Sequence, residues 1–367
     1  MKKSVLALAA LGAFAGAASA QSSVTMFGVV DVNVMTVSND DRTYSMGTDG
    51  MARSRLGFRG VEDLGGGLKA SFWLEMGLQA DTGKNASVWG NGGADNQLFF
   101  NRRSTVSLSN QWGELRLGRD YTPTFWNWTV NDPFGTVGVG SSTNLALGGD
   151  LQRGLAGSTY GTLVRANNMV SYVLPAGTQG TGLYGQLSVA AGEGAAGNKY
   201  YGGRIGYAAG PFDIAAAYGK TEDLLPGSDV DLDAWNIAGS WNFGFMKLAG
   251  FFSDMSADGT VTGVGSGEAG RQNWFVGVSA PFGQWNLKAS YGGTNGKDLL
   301  DNVDASQWAI GVDYNLSKRT ALYATWSSIN NDGNSTTGAR FIVSNQSSAL
   351  TPGDNSTGGQ IGIRHSF

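Results

Sequence analysis

The 367 residues include 58 glycines, 11% aromatics, seven prolines and no cysteine. That composition excludes a disulfide framework or a thiol nucleophile and suits many strands joined by tight turns. The formal charge is −4, with one histidine, which argues against nucleic acid as a partner and against a Ser-His-Asp or histidine-metal site.

Lys2 and Lys3 form a charged start, Val5 to Ala17 an apolar run, and Ala18-Ser19-Ala20 an A-x-A cleavage site. Residues 1–20 are therefore expected to be a cleaved export signal, followed by a single domain over 21–367. Removing Lys2 and Lys3 takes the formal charge from −4 to −6. Beyond residue 20 no apolar run is long enough for a transmembrane helix, so residence in a membrane demands a closed barrel.

The mature chain begins with alternation. Val24, Met26, Val30, Val32 and Val34 share one face, and Thr25, Asp31 and Asn33 the other. In Met51–Val61, Leu56 and Phe58 oppose Arg53, Arg55 and Arg59; in Leu68–Gln79, Leu68, Ala70, Phe72 and Leu74 oppose Lys69, Ser71, Trp73 and Glu75. Leu98–Ser109 and Glu114–Asp120 complete five predicted strands, and Tyr121–Val164 then interrupts the rhythm. Eleven more follow, at Arg165–Leu174, Gly182–Ala191, Lys199–Ala209, Pro211–Lys220, Leu232–Asn242, Phe245–Met255, Arg271–Ala280, Gln284–Gly293, Ala305–Asn315, Arg319–Ile329 and Thr357–Phe367.

Sixteen strands result, and their connections alternate. Short ones lie near Gly65, Gln111, Gly177, Gly210, Gly244, Gly283 and Ser317; long ones span 37–50, 80–97, 121–164, 192–198, 221–231, 256–270, 294–304 and 330–356. Turns at one end and loops at the other are the pattern of an outer-membrane barrel, and an even count puts both termini at the turn end. Aromatics such as Trp235, Trp241, Trp274, Trp285, Tyr291, Trp308 and Tyr314 sit at or near the ends of apolar faces, as interfacial girdles do. The fold class is all-β: a 16-stranded antiparallel transmembrane β-barrel.

The interruption holds only three charges, Asp132, Asp150 and Arg153, yet carries Phe125, Trp126, Trp128, Phe134, Leu145 and Leu147. That is more apolar material than a solvated linker carries, so the segment is expected to fold into the barrel as a constriction loop.

Ser22–Gly28, Ser54–Ala70, Phe99–Asp120, Arg165–Asn168, Asn315–Tyr323 and Ile361–Phe367 together resemble general diffusion porins of Gram-negative bacteria, the sixteen-stranded trimeric type of β-proteobacteria. The resemblance implies an outer-membrane homotrimer for passive diffusion, among lipids and lipopolysaccharide, with a third long loop that narrows the barrel. It also implies that the C-terminal aromatic, Phe367, signals to the barrel-assembly machinery. The chain departs from the family at Asp132-Pro133-Phe134-Gly135, where members often carry a Pro-Glu-Phe-Gly-like element.

In a wet channel, charge at the narrowest point sets selectivity. Arg53, Arg55 and Arg59 face the lumen by parity, with Lys69 beside them; Arg102, Arg103, Arg116 and Arg165 flank the interruption. By resemblance, Arg55, Arg102 and Arg165 match constriction arginines of anion-selective relatives, while the parity of Val106 and Leu108 sends Arg103 inward, so both Arg102 and Arg103 are kept. Asp132 and Asp150 are the opposing loop acids. Guanidinium stays charged among like neighbours, and distant acids are screened beyond ~8 Å, so anion preference is expected. No cofactor, metal or catalytic group is expected: His365 shares the lipid-side parity, and Asp229, Asp231 and Asp233 lack the glycine and glutamate of a calcium loop. The rival reading is an adhesin or barrel enzyme, the former through the polar loop 330–356.

Overall fold

The computed structural model describes residues 23–86, 99–146, 162–192, 199–223, 230–261, 265–333, 339–344 and 349–367. The first seven strand segments are β1 (Ser23–Ser38), β2 (Arg42–Thr48), β3 (Arg55–Gly65), β4 (Leu68–Gln79), β5 (Lys84–Asn85), β6 (Arg103–Asn110) and β7 (Gly113–Tyr121). After two short helices, α1 (Pro123–Thr129) and α2 (Thr143–Ala146), come β8 (Arg165–Val173), β9 (Gly182–Ala190), β10 (Lys199–Ala209), β11 (Phe212–Glu222) and β12 (Asp231–Asn242). The last six are β13 (Lys247–Val261), β14 (Gly265–Phe282), β15 (Trp285–Asp298), β16 (Ala305–Asn315), β17 (Thr320–Asn331) and β18 (Ser356–Ser366).

Pairing is antiparallel throughout, and β1 pairs with β18, which closes the sheet on itself. β2 and β3 lie in succession along β1, and β5 and β6 along β4, so eighteen segments make sixteen staves. Closure leaves no unpaired edge, the condition for burying sheet backbone in hydrocarbon. At the seam, Phe367 N–H donates to Gly28 O and Gly28 N–H to Phe367 O, both 3.1 Å. The Phe367 ring also covers Gly28, where a Cβ would lie 2.4 Å from it.

Parity separates the two faces. Along β1, Val24, Met26, Val30 and Val34 are exposed on the outside, whereas Asp31 and Asn33 are buried on the inside. Trp235, Ile237 and Trp241 of β12 and Trp308 and Ile310 of β16 repeat the exposed apolar face. On the inner face of β18 lie Gln360, Gly362 and Arg364; Ile361, Ile363, His365 and Phe367 point out. An apolar exterior around a polar interior suits lipid outside and water within.

Several expected loops prove to be strand. The segment 37–50 holds β2, joined to β1 by a turn at 39–41, because Arg42, Tyr44 and Met46 alternate with Thr43, Ser45 and Gly47 and extend the pairing. β13 and β14 run on to Val261 and from Gly265, and β15 runs to Asp298, so most of 256–270 and half of 294–304 are paired. Loop 330–356 is not simply a polar rim either. Phe341 and Val343 are buried with Met35, Val37, Ile329 and Ala339, and against Val139 and Leu145 of the interruption.

The interruption folds inward, as apolar side chains among water-filled strands must. Phe125 and Trp128 of α1 pack with Leu232, Ala234, Phe251 and Phe275 of the barrel wall. Asn127 Nδ2 donates to Ala215 O at 2.9 Å and to Asn236 Oδ1 at 2.8 Å, and Arg204 Nε donates to Asn127 Oδ1 at 3.2 Å. Further along, the tip reaches the far wall at glycines: a Cβ on Gly277 would lie 2.4 Å from Pro133, and one on Gly311 2.8 Å from the Phe134 ring.

Candidate functional site

Four strands and one break bring the arginines together. Between β2 and β3 the chain leaves the sheet at 49–54, and Asp31 of β1 captures it. The Asp31 carboxylate accepts from Gly50 N–H at 3.2 Å, Met51 N–H at 2.8 Å and Ala52 N–H at 2.7 Å, and from Tyr323 Oη–H at 2.5 Å. Asp49, at φ 66, supports the same bend by accepting from Ser54 N–H at 2.6 Å. The break presents Arg53 inward, where it pairs with Asp49 at 3.5 Å and donates to Thr136 O of the interruption at 3.3 Å.

Arg55, partner of Gly77 on β4, faces the lumen two residues from Gly57, which pairs with Glu75. Glu75 holds Arg102 at 2.5 Å and stands 4.0 Å from Arg55. Arg102 N–H donates to Glu75 O while Arg103 is the register partner of Glu75. Two consecutive residues thus sit opposite one, as in a β-bulge, and both side chains turn inward. The choice between Arg102 and Arg103 therefore does not arise.

Arg165 opens β8 opposite Tyr121, beyond a register shift between Gly118 and Asp120. Its Nε donates to Arg102 O at 2.9 Å and its guanidinium lies 4.3 Å from the centre of the Tyr121 ring. Tyr121 Oη also accepts from Arg102 at 3.3 Å. Arg53, Arg55, Arg102 and Arg165 consequently form one group around Glu75 and Tyr121.

The remaining predicted cations have other partners or positions. Arg103 contacts Asp120 at 3.5 Å, and Arg116 bridges Glu114 and Asp120 at 2.8 Å each. Arg59 stands one lumen-facing position beyond Gly57 toward the turn end, against Phe27 and Trp73. Lys69 is exposed opposite Asp63, six residues from Glu75 along β4, about 20 Å at strand rise. It belongs to the mouth and not to the arginine group.

Asp132 does not oppose the arginines. It is buried within the interruption and accepts from Phe134 N–H at 2.8 Å, Thr136 N–H at 3.3 Å, Ser142 N–H at 2.9 Å and Ser142 Oγ–H at 2.6 Å. Burial pushes its carboxyl above the usual range, and these donors pull it back. An Asp-Pro turn followed by Ser and Thr prefers such local bonds to an outward charge. Asp150 lies outside the described residues.

Parity alone did not single out Asp31, Asn127 or Arg204. Their signal was a polar residue on an inner face whose partner is distant in sequence: Asp31 reaches Gly50 and Tyr323, and Arg204 reaches Asn127. Nor does parity reveal the inward tuck of Phe341, although Phe341-Ile342-Val343 is an apolar run in a mostly polar loop. Among the described residues no group of three or more His, Cys, Asp or Glu could hold a metal ion. Asp231 and Asp233 instead pair with Lys220 at 3.0 and 3.5 Å, and Asp229 is not described.

A family model described as Gram-negative porin matches residues 7–334. Outer membrane porin protein 32 of Delftia acidovorans is 37% identical over 376 residues, covering 100% of both chains. The solved anion-selective porin from Comamonas acidovorans superposes with a TM-score of 0.79 at 34% identity, over 95% of this chain and 100% of its own. The trimer form of OmpT from Vibrio cholerae, at 15% identity and a TM-score of 0.65 over 94% and 99% of the two chains, shares the fold.

Proposed function

The chain belongs to the Gram-negative porin family and resides in the outer membrane, and from that premise we propose that it is a homotrimeric, water-filled channel for passive diffusion of small hydrophilic solutes that prefers anions. One observation carries the preference. Arg53, Arg55, Arg102 and Arg165 contribute +4 where the interruption approaches the wall, Glu75 and Asp49 contribute −2, and the remaining +2 faces a loop whose Asp132 is turned into its own backbone. A low-dielectric rim focuses that field into the aperture, so local sign outweighs the formal total of −6 left once Lys2 and Lys3 are removed. The resemblance to a solved anion-selective porin supports the same sign.

Residues 1–20 serve as a cleaved export signal in this reading, and residues 21–367 as one barrel domain. Outer-membrane lipid and lipopolysaccharide meet the apolar exterior. The barrel-assembly machinery reads the terminal strand through Phe367, whose backbone and ring join the seam at Gly28. An adhesin or enzyme lacks support: the likeness to porins runs the length of the chain.

The purified trimer in a planar bilayer under a KCl gradient tests the sign. A reversal potential of the chloride-preferring sign is expected, and a potassium-preferring one refutes the proposal. Liposome swelling in small sugars, with a size cut-off, tests the open pore.

A further inference from the structure

On the turn side of the arginine group the pore wall carries an aromatic shelf that a purely ionic filter does not need. Phe27 reaches over Gly57, where a Cβ would come within 2.4 Å of its ring. Trp73 meets Phe27 edge-on at 5.0 Å. The Arg59 guanidinium lies 5.3 Å from the Phe27 centroid and 5.1 Å from that of Trp73, and Arg103 approaches Trp73 at 4.7 Å. Phe27 and Trp73 are half-buried and Arg59 is exposed, all on the lumen face. Among the described residues no carboxylate forms an ion pair with Arg59. Partly exposed rings in a water-filled lumen cost free energy that a polar side chain would avoid, and the absent side chain of Gly57 makes room for the Phe27 ring.

The shelf is joined directly to the arginines. Trp73 Nε1–H donates to Glu75 Oε2 at 3.1 Å, and Glu75 Oε1 holds Arg102. Trp73 and Glu75 are two residues apart on one strand face, about 7 Å. A solute ring resting on the shelf therefore has its attached charge one step away, within reach of Arg55 and Arg103. Stacking and cation–π contact reward a flat π face, and guanidinium rewards a carboxylate.

We propose that Phe27, Arg59, Trp73 and Arg103 form a recognition subsite for aromatic monocarboxylates on the permeation path, which rests on the anion-pore reading above and names its substrate class. A saturated carboxylate of similar size and equal charge gains the ionic contact without the stacking one. A neutral sugar gains at most the stacking one.

The test is the block of chloride current through the purified trimer in a planar bilayer by benzoate, by cyclohexanecarboxylate and by glucose, with the KCl reversal potential recorded in the same membrane. Benzoate should half-block at a concentration roughly five-fold below that of cyclohexanecarboxylate, the ratio one partly exposed aromatic contact supports. Trp73→Leu, which keeps an apolar side chain and the strand, should bring the two half-blocking concentrations together. Equal block of the wild-type channel by the two acids overturns the proposal, as does a five-fold ratio that survives in Trp73→Leu. A glucose block as strong as that of benzoate overturns the carboxylate part. Loss of chloride preference in the wild-type channel would instead refute the pore reading, so the two failures are distinguishable.

Discussion

Replacing Asp132 by alanine removes the acceptor around which the inward loop is wound. Four donors converge on that carboxylate, three of them backbone N–H groups. Thr136, whose N–H is one of the four, is held at φ 58, a left-handed conformation that a β-branched residue adopts only under constraint. Each buried donor left without a partner costs about 1–3 kcal/mol, and relief of the buried charge returns part of that sum. A net loss of about 3 kcal/mol shifts the balance between seated and unseated loop roughly a hundred-fold. The wall contacts of α1, through Asn127 and Trp128, do not pass through Asp132 and remain, so the barrel should still assemble. Single-channel recording on the purified protein checks this: the wild-type channel should hold a steady level, and Asp132→Ala should flicker to higher conductance. Asp132→Asn should lie between them, because one amide oxygen still accepts while the NH2 group opposes a donor. Identical conductance and noise in wild type and Asp132→Ala, with equal thermal stability, would refute the role given to this carboxylate.

Acid should tighten the same loop. Burial places the Asp132 carboxyl above its ordinary value, so the seated loop binds the proton more strongly than a solvated loop does. The resulting stabilisation is complete below the ordinary carboxylate range and is lost as pH rises through the raised value. Opening events should become rarer as pH falls toward the ordinary aspartate value of about 4, and Asp132→Asn should abolish that trend; opening that becomes more frequent in acid contradicts it. Glu75→Gln deletes one of the two carboxylates in the arginine group, so the KCl reversal potential should move further toward chloride, and movement toward potassium would show that the group does not set the sign. Deleting Phe367 removes two 3.1 Å backbone bonds and the ring over Gly28; trimer yield on native gels should fall at least several-fold, and unimpaired assembly would refute its role at the seam.

Much of the barrel was legible because its information is local. Strand parity needs only neighbours two residues apart, so Leu68–Gln79, Lys199–Ala209 and Ala305–Asn315 coincide with their strands residue for residue. The excess of apolar residues in Tyr121–Val164 likewise required burial somewhere. The loops at 37–50 and 256–270 misled because polar alternation above a membrane lacks the hydrophobic contrast that marks a strand, although the pairing simply continues.

The arginine group was only half legible. Parity turned Arg53, Arg55 and Arg59 inward, but it could not say that Arg55 and Arg102 would gather at Glu75 with Arg165 beside them. Nor could it show two consecutive arginines facing in, since a bulge is a property of the partner strand. The sign of Asp132's contribution was hidden for a related reason: a carboxylate shapes a pore by where it points, and only the folded loop turned this one toward its own N–H groups. Side-chain period thus determined a closed wet barrel with cations on its inner face. Register, bulges and long-range hydrogen bonds, which join residues distant in the chain, decided which of those charges gather around Glu75.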